Sequence, residues 1–159
     1  MIVRGLREDE WAAWEAHARS AYAEHLVALA GFTAADAQAK AQADYGALLP
    51  AGPATPHQHV LVGEDAGAPI GAVWLGERDQ AGTRRIAWIH DLEVRVPFRG
   101  RGHGRALMLA AEAQARALRL ERIGLNVYAG NAVALALYRS LGYETAKRHD
   151  FGLHLRKRL

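Results

Sequence analysis

Glycines and arginines alternate in one short stretch whose chemistry suits an anion. Residues 94–108 read VRVPFRGRGHGRALM, with glycine at positions 100, 102 and 104 and arginine at 95, 99, 101 and 105. Glycine adopts positive φ and has no Cβ, so several main-chain amides can point at one bound anion. A helix that begins near Gly102 would add the positive end of its dipole. The stretch therefore predicts a pyrophosphate cradle, against the alternative of a glycine-rich turn without a ligand.

Two common phosphate cradles do not fit this context. A P-loop needs Lys followed by Ser or Thr after its last glycine, and Arg105-Ala106 stands there instead. A dinucleotide-binding fold places its glycines near the start of its first βαβ unit and adds a second mononucleotide-binding half. No such half follows here, so the glycine stretch belongs to another kind of fold.

Composition sets the class of protein. The chain has 159 residues, half of them hydrophobic, which suffices for one domain with its own core, and we assign residues 1–159 to a single domain. Twenty Lys and Arg against 17 Asp and Glu give a formal charge of +3. This mild excess suits an anionic ligand, and we expect no nucleic-acid partner. The lack of cysteine excludes disulfides, zinc–thiolate sites and thiol nucleophiles.

Other kinds of partner are also excluded by the sequence. His57 and His59 lack a clear third ligand, so no metal is expected. No apolar run approaches the ~20 residues that span a bilayer, and the N-terminal MIVRGLREDEW lacks the features of a secretory leader. We therefore expect no membrane partner and a cytoplasmic location. The terminal Arg156-Lys157-Arg158 is expected to be a solvated tail.

Hydrophobic periodicity gives the elements that must position the glycine stretch. Helical spacing covers residues 8–29, 34–48, 102–118 and 131–141; strand patterns cover 2–6, 59–64, 69–78, 84–96, 122–128, 143–148 and 151–156, with a turn at 81–83. The helix between strands 84–96 and 122–128 makes those two strands parallel neighbours. The predicted fold class is α+β, an α/β three-layer domain with a mixed sheet and helices on both faces.

Two motifs identify a family resemblance. Arg99-Gly100-Arg101-Gly102-His103-Gly104 resembles the Arg/Gln-x-x-Gly-x-Gly/Ala signature of the GNAT superfamily of N-acetyltransferases. Residues 131–144, NAVALALYRSLGYE, resemble that superfamily's Asn-x-x-Ala-x-x-Leu-Tyr-x-x-x-Gly-Phe stretch. The resemblance covers the whole chain in element order and is residue-specific between positions 86 and 144. The sequence of these motifs and their flanking residues is similar to that of a branch of small bacterial members whose substrate is uncharacterised.

The resemblance implies a fold and a co-substrate. The sheet should be mostly antiparallel, with its two central parallel strands splayed apart. Acetyl-CoA should place its pyrophosphate on the glycine loop and its pantetheine in the gap, hydrogen-bonded to the main chain near Leu92 and Val94. Opening a sheet leaves unpaired amides and carbonyls, which a ligand with amides of its own can satisfy. The implied cofactor-binding residues are Leu92, Val94, Arg99, Gly100, Arg101, Gly102, His103, Gly104, Arg105, Asn131 and Tyr138.

The helix that follows strand 122–128 carries two of these residues, each with an alternative role. Tyr138 occupies the position of the family's tyrosine that protonates the departing thiolate, and the alternative is a tyrosine that only packs against the sheet. Asn131 resembles the family's pantetheine-contacting asparagine, and Gly130-Asn131 is equally an ordinary helix N-cap.

A general base is expected on the strand before the glycine loop. By resemblance, the positions of the family's bases correspond to Trp88 and His90. Trp88 cannot accept a proton, so His90 is the predicted base, against the alternative of a histidine hydrogen-bonded locally. Asp91 and Glu93 point to the opposite side of a regular strand, although a β-bulge would exchange the faces. A chain of waters is a further alternative.

The function implied by the resemblance is N-acetyl transfer. Acetyl-CoA would donate its acetyl group directly to the primary amine of a small molecule or a peptide, in a ternary complex without a covalent enzyme intermediate. The alternative is a non-catalytic acyl-CoA-binding or sensing module, because a fold and a cradle alone do not establish turnover. The sequence names no acceptor, and it is compatible with a homodimer without specifying one.

Overall fold

The computed structural model describes residues 1–80 and 84–159. The predicted turn at 81–83 lies outside the described residues. The strands and helices are β1 (Ile2–Gly5), α1 (Trp11–Ala30), α2 (Ala34–Leu48), β2 (Gln58–Asp65), β3 (Ala68–Gln80), β4 (Arg84–Val94), α3 (His103–Ala117), β5 (Arg122–Tyr128), α4 (Ala132–Ser140), β6 (Glu144–His149) and β7 (Gly152–Arg158). β4 ends two residues earlier than predicted, because Pro97 lies in a short 3-10 turn, Val96–Phe98.

The sheet has seven strands in the order β1-β2-β3-β4-β5-β7-β6, and every neighbouring pair except β4 with β5 is antiparallel. The parallel pairing spans only three residue pairs, from Ala87 with Ile123 to Ile89 with Leu125. β4 then continues to Val94 and β5 to Tyr128 with no further pairing between them. The predicted mixed, mostly antiparallel sheet with splayed central strands is confirmed, and we call the opening between β4 and β5 the split.

One face of the sheet packs on α3. The apolar stripe of this helix is fully buried, at positions Leu107, Met108, Ala111 and Ala115. It meets Val73 and Leu75 of β3 and the face of β4 that carries Ile89, Leu92 and Val94. The spacing of the stripe is what the sequence predicts for a helix lying on a sheet.

A buried ion pair ties the end of the chain to α3. Lys157 lies in β7, and its Nζ donates to both carboxylate oxygens of Glu112, at 2.8 and 2.7 Å. Glu112 is only 1% exposed, and a carboxylate so buried requires a cation beside it. The prediction of a solvated tail at residues 156–158 was therefore wrong.

The opposite face packs on α1 and α2. Trp74 of β3 is the centre of this layer, with Trp14 of α1 edge-on at 5.7 Å and Tyr45 of α2 at 5.3 Å between ring centroids. Thr33 caps α2 as predicted, since its side chain accepts from the amide of Asp36. Helices on both faces confirm the three-layer arrangement, and the two helical layers cover the sheet on either side of the split.

Candidate active site

The glycine stretch turns the chain from the end of β4 into the start of α3. Gly100 and Gly102 have φ of +74° and +79°, a left-handed conformation that glycine adopts without a steric penalty. A Cβ at either position would meet no atom within 4 Å. The main chain of the loop is therefore open to an approaching ligand.

The first turn of α3 contains main-chain N–H groups without acceptors. The first hydrogen bond of the helix runs from the Ala106 amide to the Gly102 carbonyl, at 3.1 Å. The amides of residues 103–105 therefore have no helical acceptor. No side chain caps this helix, whereas Thr33 caps α2 and Asn131 caps α4. Unpaired amides and the positive end of the helix dipole together suit an anion.

Arginines surround the loop without carboxylate partners. The Arg99 Nε donates to the Val94 carbonyl oxygen at 2.8 Å, and Arg105 donates to the Ser140 hydroxyl. Within the described part of the chain, no carboxylate lies within 4.0 Å of Arg99, Arg101 or Arg105. Their positive charge is therefore not neutralised locally.

The loop, the split and α4 come together at one end of the sheet. The Cβ position of Gly104, at the start of α3, lies 3.4 Å from a methyl group of Leu137 and 3.8 Å from one of Val94. Leu92 and Val94 turn their side chains into the core under α3, so their main chain lines the split. The structure thus brings together the predicted cradle, the predicted strand contacts and the helix that carries Tyr138.

Tyr138 and Asn131 occupy different environments on α4. Tyr138 is 7% exposed, its ring lies 5.8 Å from that of Tyr143, and no described residue hydrogen-bonds to its hydroxyl. Burial, with the negative charge of Asp91 as a second cause, raises the pKa of the Tyr138 hydroxyl above its usual range. The Asn131 Oδ1 accepts from the amide of Ala134 at 3.1 Å, so the N-cap role is observed and the pantetheine contact stays a prediction.

A β-bulge lies in β4 where its pairing with β5 ends. Trp74 pairs with Asp91 and Leu75 with Ile89, which leaves His90 as the extra residue. The His90 ring packs 4.4 Å from the ring of Trp74, and Asp91 lies directly across from Trp74. The bulge therefore places His90 and Asp91 on the same face, under α1 and α2.

His90 is held as a neutral imidazole. Its Nε2 is buried and has no hydrogen-bond partner in the described residues, and a Cβ on the neighbouring Gly76 would lie only 2.5 Å from it. Burial lowers the pKa of His90 to about 4, and the positive charge of Arg78 adds to the effect. His90, the base predicted from the sequence, therefore binds a proton weakly near neutral pH.

Asp91 has the opposite shift. Burial raises the pKa of Asp91 to about 7, and the nearby carboxylate of Glu93 adds to the effect. Asp91 and Glu93 line a cavity of about 320 Å³ together with His17 of α1, whose Nε2 lies 2.7 Å from a Glu93 oxygen. A regular strand would have turned Asp91 away from His90, and the bulge that the sequence raised as an alternative is what brings the two side chains to one face.

The two histidines at the start of β2 lie away from the split. His57 and His59 approach the same oxygen of Glu77, at 3.3 and 3.2 Å. The residues 1–80 and 84–159 contain no group of three or more His, Asp or Glu side chains suited to a metal ion. None of the helices in these ranges combines the length and apolar content needed for crossing a bilayer.

Comparisons with known proteins agree with this geometry. The sequence pattern of the Acetyltransferase (GNAT) family matches residues 6–143. The chain is 27% identical to the uncharacterised N-acetyltransferase YycN of Bacillus subtilis, over 91% of the chain and 92% of that relative. It is 32% identical to the mycothiol acetyltransferase of Salinispora tropica, over 91% of the chain but only 44% of that longer protein.

Solved structures share the fold. The crystal structure of YycN has a TM-score of 0.84 at 24% identity, covering 94% of this chain and 95% of that one. The PaiA N-acetyltransferase of Thermoplasma acidophilum, solved in complex with coenzyme A, has a TM-score of 0.77 at 14% identity, covering 99% and 98%. Both therefore have the same arrangement of strands and helices as the chain described above.

The partly buried Asp91, whose charge is opposed by desolvation and by Glu93, gives stability a specific pH dependence. Because the folded protein raises the pKa of Asp91 from 3.8 to about 7, it holds this proton more tightly than the unfolded chain does. Its contribution to stability is complete below pH 4 and is lost as the pH rises to about 7. Asn at position 91 cannot ionise, so Asp91→Asn should not lose this stability as the pH rises. The unfolding free energy of the variant minus that of wild type should therefore increase by about 4 kcal/mol between pH 4 and 8.

Urea unfolding across this pH range measures the difference. Asp150→Asn, at an exposed position in the β6–β7 turn, serves as the matched control and should show no such rise. A difference between Asp91→Asn and wild type that is the same at pH 4 and pH 8 would mean that Asp91 ionises in the folded protein as it does in water.

Proposed function

Because the chain belongs to the GNAT family of acetyltransferases, we propose that it transfers the acetyl group of acetyl-CoA directly to a primary amine of a small molecule or peptide, in a ternary complex. The observation that carries this proposal is the uncapped N-terminus of α3, which faces an open glycine loop at the mouth of the split. A structure of PaiA holds coenzyme A, and one of an acetyltransferase from Salmonella typhimurium, YncA, holds acetyl-CoA.

The loop and the split suit the two ends of this co-substrate. The amides of residues 103–105 and the charge of Arg101 would hold the pyrophosphate. The main chain of Leu92 and Val94 would pair with the amides of the pantetheine arm. The Arg99 guanidinium now donates to the Val94 carbonyl oxygen. It would exchange this contact for one to a phosphate oxygen, because a hydrogen bond between two charged groups is stronger.

The bulge would supply the proton acceptor. As the amine nitrogen bonds to the thioester carbon, it must give up a proton. Asp91, with a pKa of about 7, accepts a proton near neutral pH far better than His90, with a pKa of about 4. We therefore assign the base to Asp91, directly or through one water, and keep the sequence prediction of His90 as the alternative.

Tyr138 would supply the proton donor. When the carbon–sulfur bond breaks, the sulfur takes up a proton, and a tyrosine that stays protonated at neutral pH can give it. The raised pKa of Tyr138 meets this requirement, and its hydroxyl has no partner among the described residues that would compete for its proton. Neither a proton donor nor a poised base is needed by a protein that only senses acyl-CoA.

The cradle is tested by one glycine with a matched control. At one hundred times its dissociation constant, acetyl-CoA should raise the unfolding free energy by about 2.7 kcal/mol. Gly102→Ala should lose most of this protection, because a Cβ and the strain of φ +79° displace the amides that face the phosphates. Thermal unfolding with and without acetyl-CoA, and with pantetheine alone, measures it.

Gly31→Ala is the control. Gly31 ends α1 with φ of +73° and open space around it, so the substitution brings the same strain away from the split. It should lower the melting temperature as Gly102→Ala does and keep the protection by acetyl-CoA. Equal protection of both variants would remove the glycine loop from the binding site.

Tyr138→Phe tests the proton donor. The ring and its packing remain, so acetyl-CoA affinity should be kept while kcat falls by about 10²–10⁴-fold. The deficit should shrink with an acetyl donor whose thiol is more acidic, because a better leaving group needs less protonation. Tyr143→Phe, which removes a buried hydroxyl close to Glu112 from the ring next to Tyr138, is the control and should leave kcat unchanged. An unchanged kcat for Tyr138→Phe, with chemistry rate-limiting, would assign this ring to packing only.

The proton acceptor is identified by the pH dependence of kcat/KM, followed as release of free thiol. If Asp91 is the base, the profile should rise through an apparent pKa of about 7 that does not move when the acceptor amine is exchanged for one of different pKa. Asp91→Asn should abolish this limb, and His90→Gln should keep it. If His90→Gln abolished this limb and Asp91→Asn kept it, His90 would be the base. If both variants kept the limb, a chain of waters would be the proton acceptor.

A further inference from the structure

The face of the sheet that α1 and α2 cover near the bulge carries a cluster of basic side chains farther down β4. Arg78 and His154 contact Trp88, and three further basic side chains lie near His154; we call the group the basic surface: Arg78, Lys147, His149, His154 and Arg156. They come from β3, β6 and β7, and nothing in the reaction proposed above uses them.

Trp88 and His154 form the floor of the basic surface. Their ring centroids are 5.0 Å apart, and they meet over Gly124 of β5. A Cβ at Gly124 would lie 2.9 Å from the Trp88 ring and 3.3 Å from the His154 Nε2, so glycine is required there. The Arg78 guanidinium stacks on the same indole, 4.3 Å from its centroid.

Strand register brings the remaining cations to the same place. His154 pairs with Lys147 of β6, and Arg156 follows His154 at the next position on the same face of β7. Arg78, Lys147 and Arg156 are exposed, and the described residues provide no carboxylate within 4.0 Å of them. Glu144 stands opposite Arg156 in the register without forming an ion pair.

The positive charges converge on one point. The pKa of His154 is lowered by burial first, and then by the positive charges of Arg78, Arg156, His149 and Lys147. Four basic side chains thus act on one half-buried ring. A single anion placed there would meet several donors at once, and the low dielectric around Trp88 would strengthen each contact.

The charge reverses along the same face of β4. Two or three residues beyond Trp88, the bulge presents His90 and Asp91, and the cavity beside it is lined by the carboxylates of Asp91 and Glu93. The end of the β4–β5 pairing, at Ile89 and Leu125, lies between the basic surface and these carboxylates. The cradle for the cofactor phosphates follows Val94, at the far end of β4, so it does not account for the basic surface.

We propose that the acceptor is an amine that also carries an anionic group, a carboxylate or a phosphate, with the anion bound on the basic surface and the amine over the bulge. This inference rests on the proposed acetyl transfer. At about 3.3 Å per residue along β4 and about 4.8 Å across to β5, over which Trp88 and His154 meet, the anion and the amine would lie about 8–11 Å apart. A compact, convergent cluster suits one small anion, whereas a nucleic acid would need a continuous basic strip.

Matched acceptors test the proposal. The series of straight-chain ω-amino carboxylates is compared with the amides of the same compounds, which keep the amine and lose the charge. Acetylation should favour the carboxylate by about tenfold or more in kcat/KM when the amine and the carboxylate can lie about 8–11 Å apart. The preference should weaken with salt. Aminoalkyl phosphates, and peptides with an acidic second or third residue, distinguish the sources of the anion.

Two variants connect the preference to the basic surface. Arg156→Gln should lower the carboxylate-to-amide ratio several-fold, because it removes one of the cations around the anion and leaves Arg78 and Lys147. Arg148→Gln removes a cation from the neighbouring strand β6, where Arg148 pairs with Leu153 and so faces the other side of the sheet. It is equally exposed and should leave the ratio unchanged. Equal kcat/KM for carboxylates and amides, with transfer intact, would overturn the anion site and leave the proposed function standing.

Calorimetric binding of the same compounds, in the presence of coenzyme A, separates the two ideas. Preferential binding of the carboxylates without any thiol release would support the anion site and contradict the proposed function. Equal binding of carboxylates and amides would overturn the anion site whether or not transfer occurs. Tight, salt-sensitive retention on single-stranded nucleic acid, lost in Arg156→Gln, would replace it with a nucleic-acid surface.

Discussion

The short parallel contact between β4 and β5 is the constraint on which the rest of the structure depends. Beyond Ile89 and Leu125, each strand is held from its outer side only, β4 by β3 and β5 by β7. Main-chain groups that face into the split need hydrogen-bond partners. The geometry that opens the sheet therefore also selects the ligand that suits the opening: an extended molecule with amides of its own and an anion at the end near α3.

The bulge at the end of this contact holds two arrangements that are unfavourable on their own. An unpartnered buried nitrogen such as the His90 Nε2 costs about 1–3 kcal/mol, and the ionisation of Asp91 is opposed by its burial. The aromatic layer around Trp74 offsets this, since Trp14 packs edge-on against Trp74 and Tyr45 packs against it at a tilt beside the bulge. Locally unfavourable groups persist where the surrounding packing fixes them, and here they stand where acyl transfer would occur.

The sequence predicted the parts of the fold that local patterns determine. Glycines at positions 100 and 102 marked the turn into α3, the apolar stripe from Leu107 to Ala115 marked its buried face, and the single crossover marked the parallel pair. Register and partner choice between distant segments have no local signal. Neither the insertion of β7 between β5 and β6 nor the pairing of Lys157 with Glu112 could be predicted for that reason. The bulge in β4 could be raised only as an alternative, and one extra residue decides which face Asp91 joins.

The two kinds of recognition use different directions of the same strand. The co-substrate would be read by the edge of β4, through main-chain groups of Leu92 and Val94 that no side-chain substitution removes. The acceptor would be bound on the face of β4 and its neighbouring strands, through side chains such as Trp88, Asp91 and Arg156. Since the edge and the face of a strand are perpendicular, the face can change without disturbing the edge. On the proposals made above, this separation would let one scaffold keep its acyl donor while a few charged residues beside the split set its acceptor.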